Sequence, residues 1–145
     1  MSTPVSSILS RKGDWVITIE PNATVFDTIS RMVEHNVGAI CVVQGGELVG
    51  IFTERDYLRR IILQGRASKT TRVEEVMTKD VVCATPDHTA DDCMALMTEK
   101  RIRHLPVVEQ GHVIGVISIG DVVRAAIDDR DFHIQQLENY IATAG

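Results

Sequence analysis

Residues 50–56 read Gly50-Ile51-Phe52-Thr53-Glu54-Arg55-Asp56 (GIFTERD), and residues 115–121 read GVISIGD. Both run glycine, two apolar residues, a hydroxyl, two variable positions and an aspartate, 65 residues apart (115 − 50). At that offset, residues 16–62 lie over 81–127 without a gap, with 13 identities in 47 positions. Val16, Pro21, Thr24, Asp27, Met32 and Glu34 meet Val81, Pro86, Thr89, Asp92, Met97 and Glu99. Val42, Val43, Gly46, Gly50, Asp56, Arg59 and Ile62 meet Val107, Val108, Gly111, Gly115, Asp121, Arg124 and Ile127. Upstream, Val5, Ile8 and Leu9 echo Val73, Val76 and Met77 at an offset of 68, so the first copy carries three extra residues near Lys12-Gly13-Asp14. The chain is an internal duplication, and its fold follows from one copy read twice.

Each copy parses alike. VITI (16–19) and VVCA (81–84) are short strand-like runs ended by a proline turn. Helices then start at Thr24 and Thr89, with Val25, Ile29, Met32 and Val33, and Cys93, Leu96 and Met97, spaced for one buried face. Two strand runs split by a glycine turn follow, AICVV-QGG-ELVGIF (39–52) and HLPVV-EQG-HVIGVI (104–117), each an expected antiparallel hairpin. Second helices, TERDYLRRIILQG and SIGDVVRAAIDD, close the copies. The order β-α-β-β-α, twice, predicts a mixed α/β (α+β) fold. The expected divisions are a first repeat over 5–64, a small, polar and basic linker over 65–72, a second repeat over 73–128 and a C-terminal helical tail over 129–145. In that tail Ile134, Leu137 and Ile141 fall on one side, the pattern of a packing or dimer helix. A unit of about 60 residues buries only a modest core. Two copies packed sheet to sheet about a pseudo-twofold axis would cover each other and leave two equivalent clefts.

Composition narrows the function. Apolar residues are 44% and charged residues 24%, and the net charge of −5 argues against a general nucleic-acid binder. The three cysteines, Cys41, Cys83 and Cys93, form no C-x-x-C pair and do not suggest a disulfide framework or zinc site. No signal-peptide block and no run of about 18 apolar residues is present, so no membrane role is expected and the cytoplasm is the expected compartment.

The hydroxyl-x-x-acid pattern occurs four times, at Thr24/Asp27, Thr53/Asp56, Thr89/Asp92 and Ser118/Asp121. It is the signature of a helix capping box, and Thr24 and Thr89 read as caps. The second-helix pair differs because a strand end passes straight into the helix. There the free N–H groups and the dipole favour an anion. Thr53 or Ser118 can add a hydrogen bond to phosphate, and an aspartate one turn on suits ribose hydroxyls. Hydroxyl for phosphate and acid for ribose together describe a nucleotide.

A β-α-β-β-α repeat ending in G-h-x-[ST]-x-x-D resembles the cystathionine-β-synthase (CBS) domain, and two in tandem resemble a Bateman module. MVEHNVGAICVV, MTEKRIRHLPVV and MTKDVVCATPD strengthen the resemblance, which runs from about Val5 to Ile127 and is nearest to stand-alone pairs from bacteria and plant organelles. It implies adenosine ligands: AMP, ADP, ATP and, in some members, NAD or S-adenosylmethionine. It also implies sites that join the signature of one repeat to the pre-strand passage of the other. One cleft would use Thr53, Arg55 and Asp56 with Arg103, His104 and Pro106. The other would use Ser118, Gly120 and Asp121 with Ile17, Val37, Gly38 and Ala39, and Lys12 as its nearby cation. Having more cations, the first cleft is expected to favour more phosphates.

The expected role is a regulatory sensor without catalysis that alters a homodimer, head-to-head or head-to-tail, or an unidentified protein partner. Some plant members suggest an NAD-binding regulator of a redox partner. A nucleotide-acting enzyme finds no nucleophile–base pair, metal cluster or paired carboxylates in the sequence. A nucleic-acid accessory would rest on Arg55, Arg59, Arg60, Arg66, Lys69 and Arg72, without interleaved aromatics. Arg59, Arg60 and Arg124 otherwise read as solvated surface, Trp15 as a packing residue, and His104 as either a buried group or a phosphate contact.

Overall fold

A computed structural model describes residues 2–13 and 15–144, with Ala144 by its backbone alone. Asp14, the last of the three inserted residues, lies outside the described residues. The elements run α1 (Val5–Lys12), β1 (Thr18–Ile19), α2 (Val25–Glu34), β2 (Ala39–Gln44), β3 (Glu47–Thr53), α3 (Glu54–Asp56), a wider helical stretch (Tyr57–Ile62), a tight turn (Val73–Glu75), α4 (Ala90–Lys100), β4 (His104–Glu109), β5 (His112–Ser118) and α5 (Ile119–Ala144). The mixed α/β class holds. The chain folds as two compact units, one of Trp15–Cys83 with Val108–Ile114, the other of Met1–Asp14 with Ala84–Val107 and Gly115–Gly145. The repeats are thus units of sequence, while the compact units exchange their leading segments.

In the Trp15–Cys83 unit, β1 lies parallel to β2, pairing Thr18 with Cys41, and β2 runs antiparallel to β3, pairing Ala39 with Thr53. A register shift between Val42 and Val43 marks a bulge near the hairpin end. Ile17, Val25, Met32, Ile40, Val42, Phe52, Ile61, Val73, Val76 and Met77 form the core. Each large side chain removed from water there contributes about 1.5–3 kcal/mol. Thr24 caps α2 as expected, accepting from the Asp27 N–H. The presumed linker is docked: the Val25 and Phe26 N–H groups donate to Thr71 O (2.8 Å) and Ser68 O (3.0 Å), satisfying the open helix start, and Thr71 is buried. Past Asp56 the helix widens, with Leu63 N–H donating to Leu58 O and Arg66 N–H to Ile61 O, i to i−5.

The other unit repeats the scheme with its own leading segment. The Ala90 and Asp91 N–H groups at the start of α4 donate to Thr3 O (2.8 Å) and Ser2 Oγ (3.0 Å). Thr89 and Asp92 form a reciprocal capping box. The run 81–84, expected as a strand, contributes only one bridge, Ala84 with Val107. Its Ala84 N–H reaches Pro106 O at 2.9 Å. Pro106 stands where the first repeat has Cys41, and a proline has no N–H to return to the ladder. β4 and β5 form a two-stranded sheet, and α5 runs without a break into the expected tail.

Candidate functional site

Glycine opens each signature because another side chain lies against it. A Cβ on Gly50 would meet Met77, 2.8 Å from its Cγ, and a Cβ on Gly115 would stand 2.6 Å from Leu9 Cδ2. Met77 and Leu9 are counterparts at the offset of 68, so both units use the same close approach. It anchors the strand just before it turns into the helix.

At the first turn Thr53 is extended (φ −120°, ψ 165°) and Thr53 and Asp56 form a full capping box. Asp56 Oδ2 accepts from the Thr53 N–H (3.0 Å) and the Thr53 hydroxyl (3.1 Å). Asp56 Oδ1 accepts from the Thr78 hydroxyl (3.2 Å), and Arg60 Nε lies 3.8 Å from the same oxygen. Arg60 also donates through Nη1 to Val76 O (2.9 Å) and Met77 O (3.0 Å). Asp56 is buried while Arg55 next to it is exposed. Arg60, expected as solvated surface, is half-exposed but tied down by these contacts. It holds the 76–77 backbone and the Asp56 carboxylate together.

The second turn reaches a similar end with different parts. Asp121 Oδ2 accepts from the Ser118 N–H (2.8 Å), and the Asp121 N–H donates to Ser118 Oγ (3.2 Å). Ala125 occupies the position of Arg60, and the cation comes instead from the inserted segment. Lys12 Nζ donates to Asp121 Oδ2 (2.7 Å) and Val116 O (2.8 Å). Partial burial pushes the Asp121 carboxyl up, but Lys12 and the Ser118 N–H outweigh it and hold it below its ordinary value.

The helix starts also bind the pre-strand passages of their own repeats. The Glu54 N–H donates to Gly38 O (3.1 Å), and the Ile119 N–H donates to Arg103 O (2.9 Å). Within the Trp15–Cys83 unit this brings Gly38 beside Thr53. Val37 and Gly38 are half-buried, and Ile17 and Ala39 are buried. In the other unit Arg103 and Gly120 are exposed, His104 is half-buried at the head of β4, and Pro106 is buried behind it. Trp15, expected to pack, is 61% exposed with its ring 6.0 Å from that of His35. Sequence reasoning missed Thr78 and Arg60. Thr78 directly follows Met77 in the repeat register. Arg60 lies four residues from Asp56, the spacing at which helical side chains meet.

Among the described residues no group of three or more His, Cys, Asp or Glu side chains is placed to hold a metal ion, and no helix is long and apolar enough to cross a membrane. The arrangement offers paired hydroxyl and carboxylate groups at two helix starts, with exposed arginines at Arg55 and Arg103.

The chain is thus a tandem of two α-β-β-α copies, the first led by a strand and each closed by such a turn. The CBS domain model matches residues 1–63 and 73–128, and the chain belongs to the CBS-domain family. It is 44% identical to the "CBS domain-containing protein CBSX3, mitochondrial" of Arabidopsis thaliana, over 97% of this chain and 72% of that protein. The crystal structure of the CBS domain NE2398 shares 44% identity with a TM-score of 0.83, covering 88% of this chain and 99% of that one. The CBS domain pair of protein MJ0100, solved with 5-methylthioadenosine and S-adenosyl-L-methionine, is similar at 28% identity and a TM-score of 0.76, covering 86% of this chain and 95% of that one.

Proposed function

We propose that this chain is a regulatory sensor of adenosine nucleotides that performs no catalysis and acts in the cytoplasm as a homodimer or on a protein partner. The observation that carries the reading is the pair of sheet-to-helix turns, each presenting a hydroxyl and a held aspartate. A CBS pair of similar fold solved with two adenosine ligands supports it. In this reading Thr53, Arg55 and Asp56 contact one ligand and Ser118, Gly120 and Asp121 the other. Arg103, His104 and Pro106, and Ile17, Val37, Gly38 and Ala39, are the further binding candidates. The aspartates take the ribose hydroxyls, the hydroxyl side chains and helix N–H groups take phosphate, and the apolar residues take the adenine.

The two sites are expected to differ. The Thr53 turn has exposed Arg55 beside it, where the Ser118 turn has Gly120, so its ligand is expected to carry more phosphates. Lys12 serves the second but is already committed to Asp121, so ligand there must share or displace it. Binding matters only through its differential affinity for two states of the assembly.

The test is a thermal-shift panel of AMP, ADP, ATP, NAD and S-adenosylmethionine, because a ligand of the native state raises stability by mass action. Calorimetry on Arg55→Ala, Arg103→Ala and Asp121→Asn follows. Expected are a shift with at least one adenylate and a larger loss for ATP than for AMP in the two arginine variants. A response to NAD alone would favour a regulator of a redox partner. No shift with any of the five would overturn the reading, and product formation from ATP or NAD would make the chain an enzyme.

A further inference from the structure

The exposed part of α5 carries a surface that the site does not use. Every described side chain from Arg130 to Thr143 is exposed, although the backbone stays helical throughout. That stretch is about 21 Å of helix at 1.5 Å per residue. An isolated helix of such length is marginal in water, and most helical stability comes from packing an apolar face. Val123, Ile127, Arg130, Ile134, Leu137 and Ile141 follow one another at alternating spacings of four and three residues. This is a heptad seam with isoleucine at each of three a positions and Val123, Arg130 and Leu137 at the d positions. Leu137 and Ile141 are 63% and 69% exposed, and Val123 and Ile127 extend the same exposed seam toward the body of the unit. The family match ends at residue 128, so most of the seam lies beyond the shared domain.

We propose that the α5 seam is covered by the same seam of a second copy of this chain, in a parallel two-stranded coiled coil. The proposal deepens the homodimer reading above and rests on it. Among parallel coiled coils, isoleucine at every a position with leucine at one of the three d positions favours two strands. Charge selects the parallel orientation. Parallel pairing sets the d-position Arg130 beside the e-position Asp131 of the second copy. It also sets the g-position His133, already near Asp129 and Phe132, across from Glu138 of the second copy. The antiparallel registers instead face Asp131 with Asp131 or with Glu138 of the other copy, like charges in contact. Phe132, 62% exposed, lies off the seam and serves as the internal control.

Sedimentation equilibrium of the full chain, the double variant Ile134→Asp/Leu137→Asp, and Phe132→Asp reads the outcome. These side chains are exposed, so the variants keep the fold. The wild type and Phe132→Asp are expected to dimerise alike, and the seam variant at least about tenfold more weakly. Leu137→Cys, oxidised beside the wild type as a control for Cys41, Cys83 and Cys93, is expected to form a disulfide-linked dimer. A dimer with an unchanged seam variant sinks the seam and leaves the homodimer reading standing. A weakened dimer without the Leu137→Cys bridge overturns the parallel register. A wild-type chain that stays monomeric at high micromolar concentration overturns both.

Discussion

Met77 lies across the backbone of Gly50, so that a Cβ there would stand 2.8 Å from Cγ and closer still to Sδ. Met77 is buried, and the crowded atoms include the middle of its side chain rather than its tip alone. Gly50→Ala is therefore expected to destabilise the protein by about 1–3 kcal/mol, the usual cost of overpacking. Gly115→Ala meets mainly one methyl of the half-buried Leu9 and should cost less. Urea unfolding of both checks the order. Because Gly50 and Met77 touch, Gly50→Ala/Met77→Ala should lose less than the sum of its single changes.

Arg101 closes α4 in the left-handed conformation at φ 56°, ψ 45°. A residue with a Cβ pays roughly 1–2 kcal/mol there, whereas asparagine and glycine tolerate it. The first repeat already has Asn36 at the matching place, with φ 54°. Arg101→Gly or Arg101→Asn is expected to raise stability by about 0.5–1 kcal/mol. A shift of the urea midpoint to higher concentration at unchanged slope is the signature.

The Asp121 carboxyl titrates below its ordinary value, because Lys12 and the Ser118 N–H outweigh the effect of partial burial. A depressed folded-state value means that the contribution is complete above the unfolded value, about pH 3.9. It is lost as pH falls through the folded one. Asp121→Asn should be less stable than wild type at neutral pH and converge with it as pH falls through the folded-state value. Glu75, Asp92 and Asp129 are also held low, chiefly by the Arg72 N–H, the Thr89 N–H and the Thr3 hydroxyl. The variant should therefore reduce the acid slope without abolishing it.

Burial, reinforced by neighbouring Cys83, pushes the Cys41 thiol up to about 12, and burial raises Cys83 and Cys93 as well. The thiolate is the reacting form. Maleimide labelling of the native chain near neutral pH should be slow, with half-buried Cys83 modified first and Cys41 and Cys93 protected. All three should label in denaturant. Mass spectrometry of the labelled peptides reads the order.

The duplication made the fold legible. Strands, hairpins and first-helix caps recur at fixed offsets, and periodicity separates a helix from a hairpin wherever a run is long enough. Short runs were less legible. VVCA matches VITI in apolar character, yet Pro106 opposite it removes a ladder donor, a tertiary condition invisible within the run itself. The exchanged leading segments were only partly visible. The echo of Val5, Ile8 and Leu9 in Val73, Val76 and Met77 marks both as structured without saying which hairpin each joins. At the candidate site the motif identified Thr53, Asp56, Ser118 and Asp121. The groups that hold the two aspartates, Arg60 and Thr78 in one unit and Lys12 in the other, come from positions where the repeats differ. Self-comparison does not pair them.

The placement of α1 has a consequence for biosynthesis. Nearly all of the Trp15–Cys83 unit is contiguous in the chain, so it can begin to close soon after Cys83 leaves the ribosome. Val5–Lys12 is made before that unit but belongs with residues 84–107 and 115–145. At about 5–20 residues per second, its docking strand and helix arrive several seconds later. Through that interval Val5, Ile8 and Leu9 wait uncovered, and their unit closes only when a segment made before Trp15–Cys83 meets segments made after it.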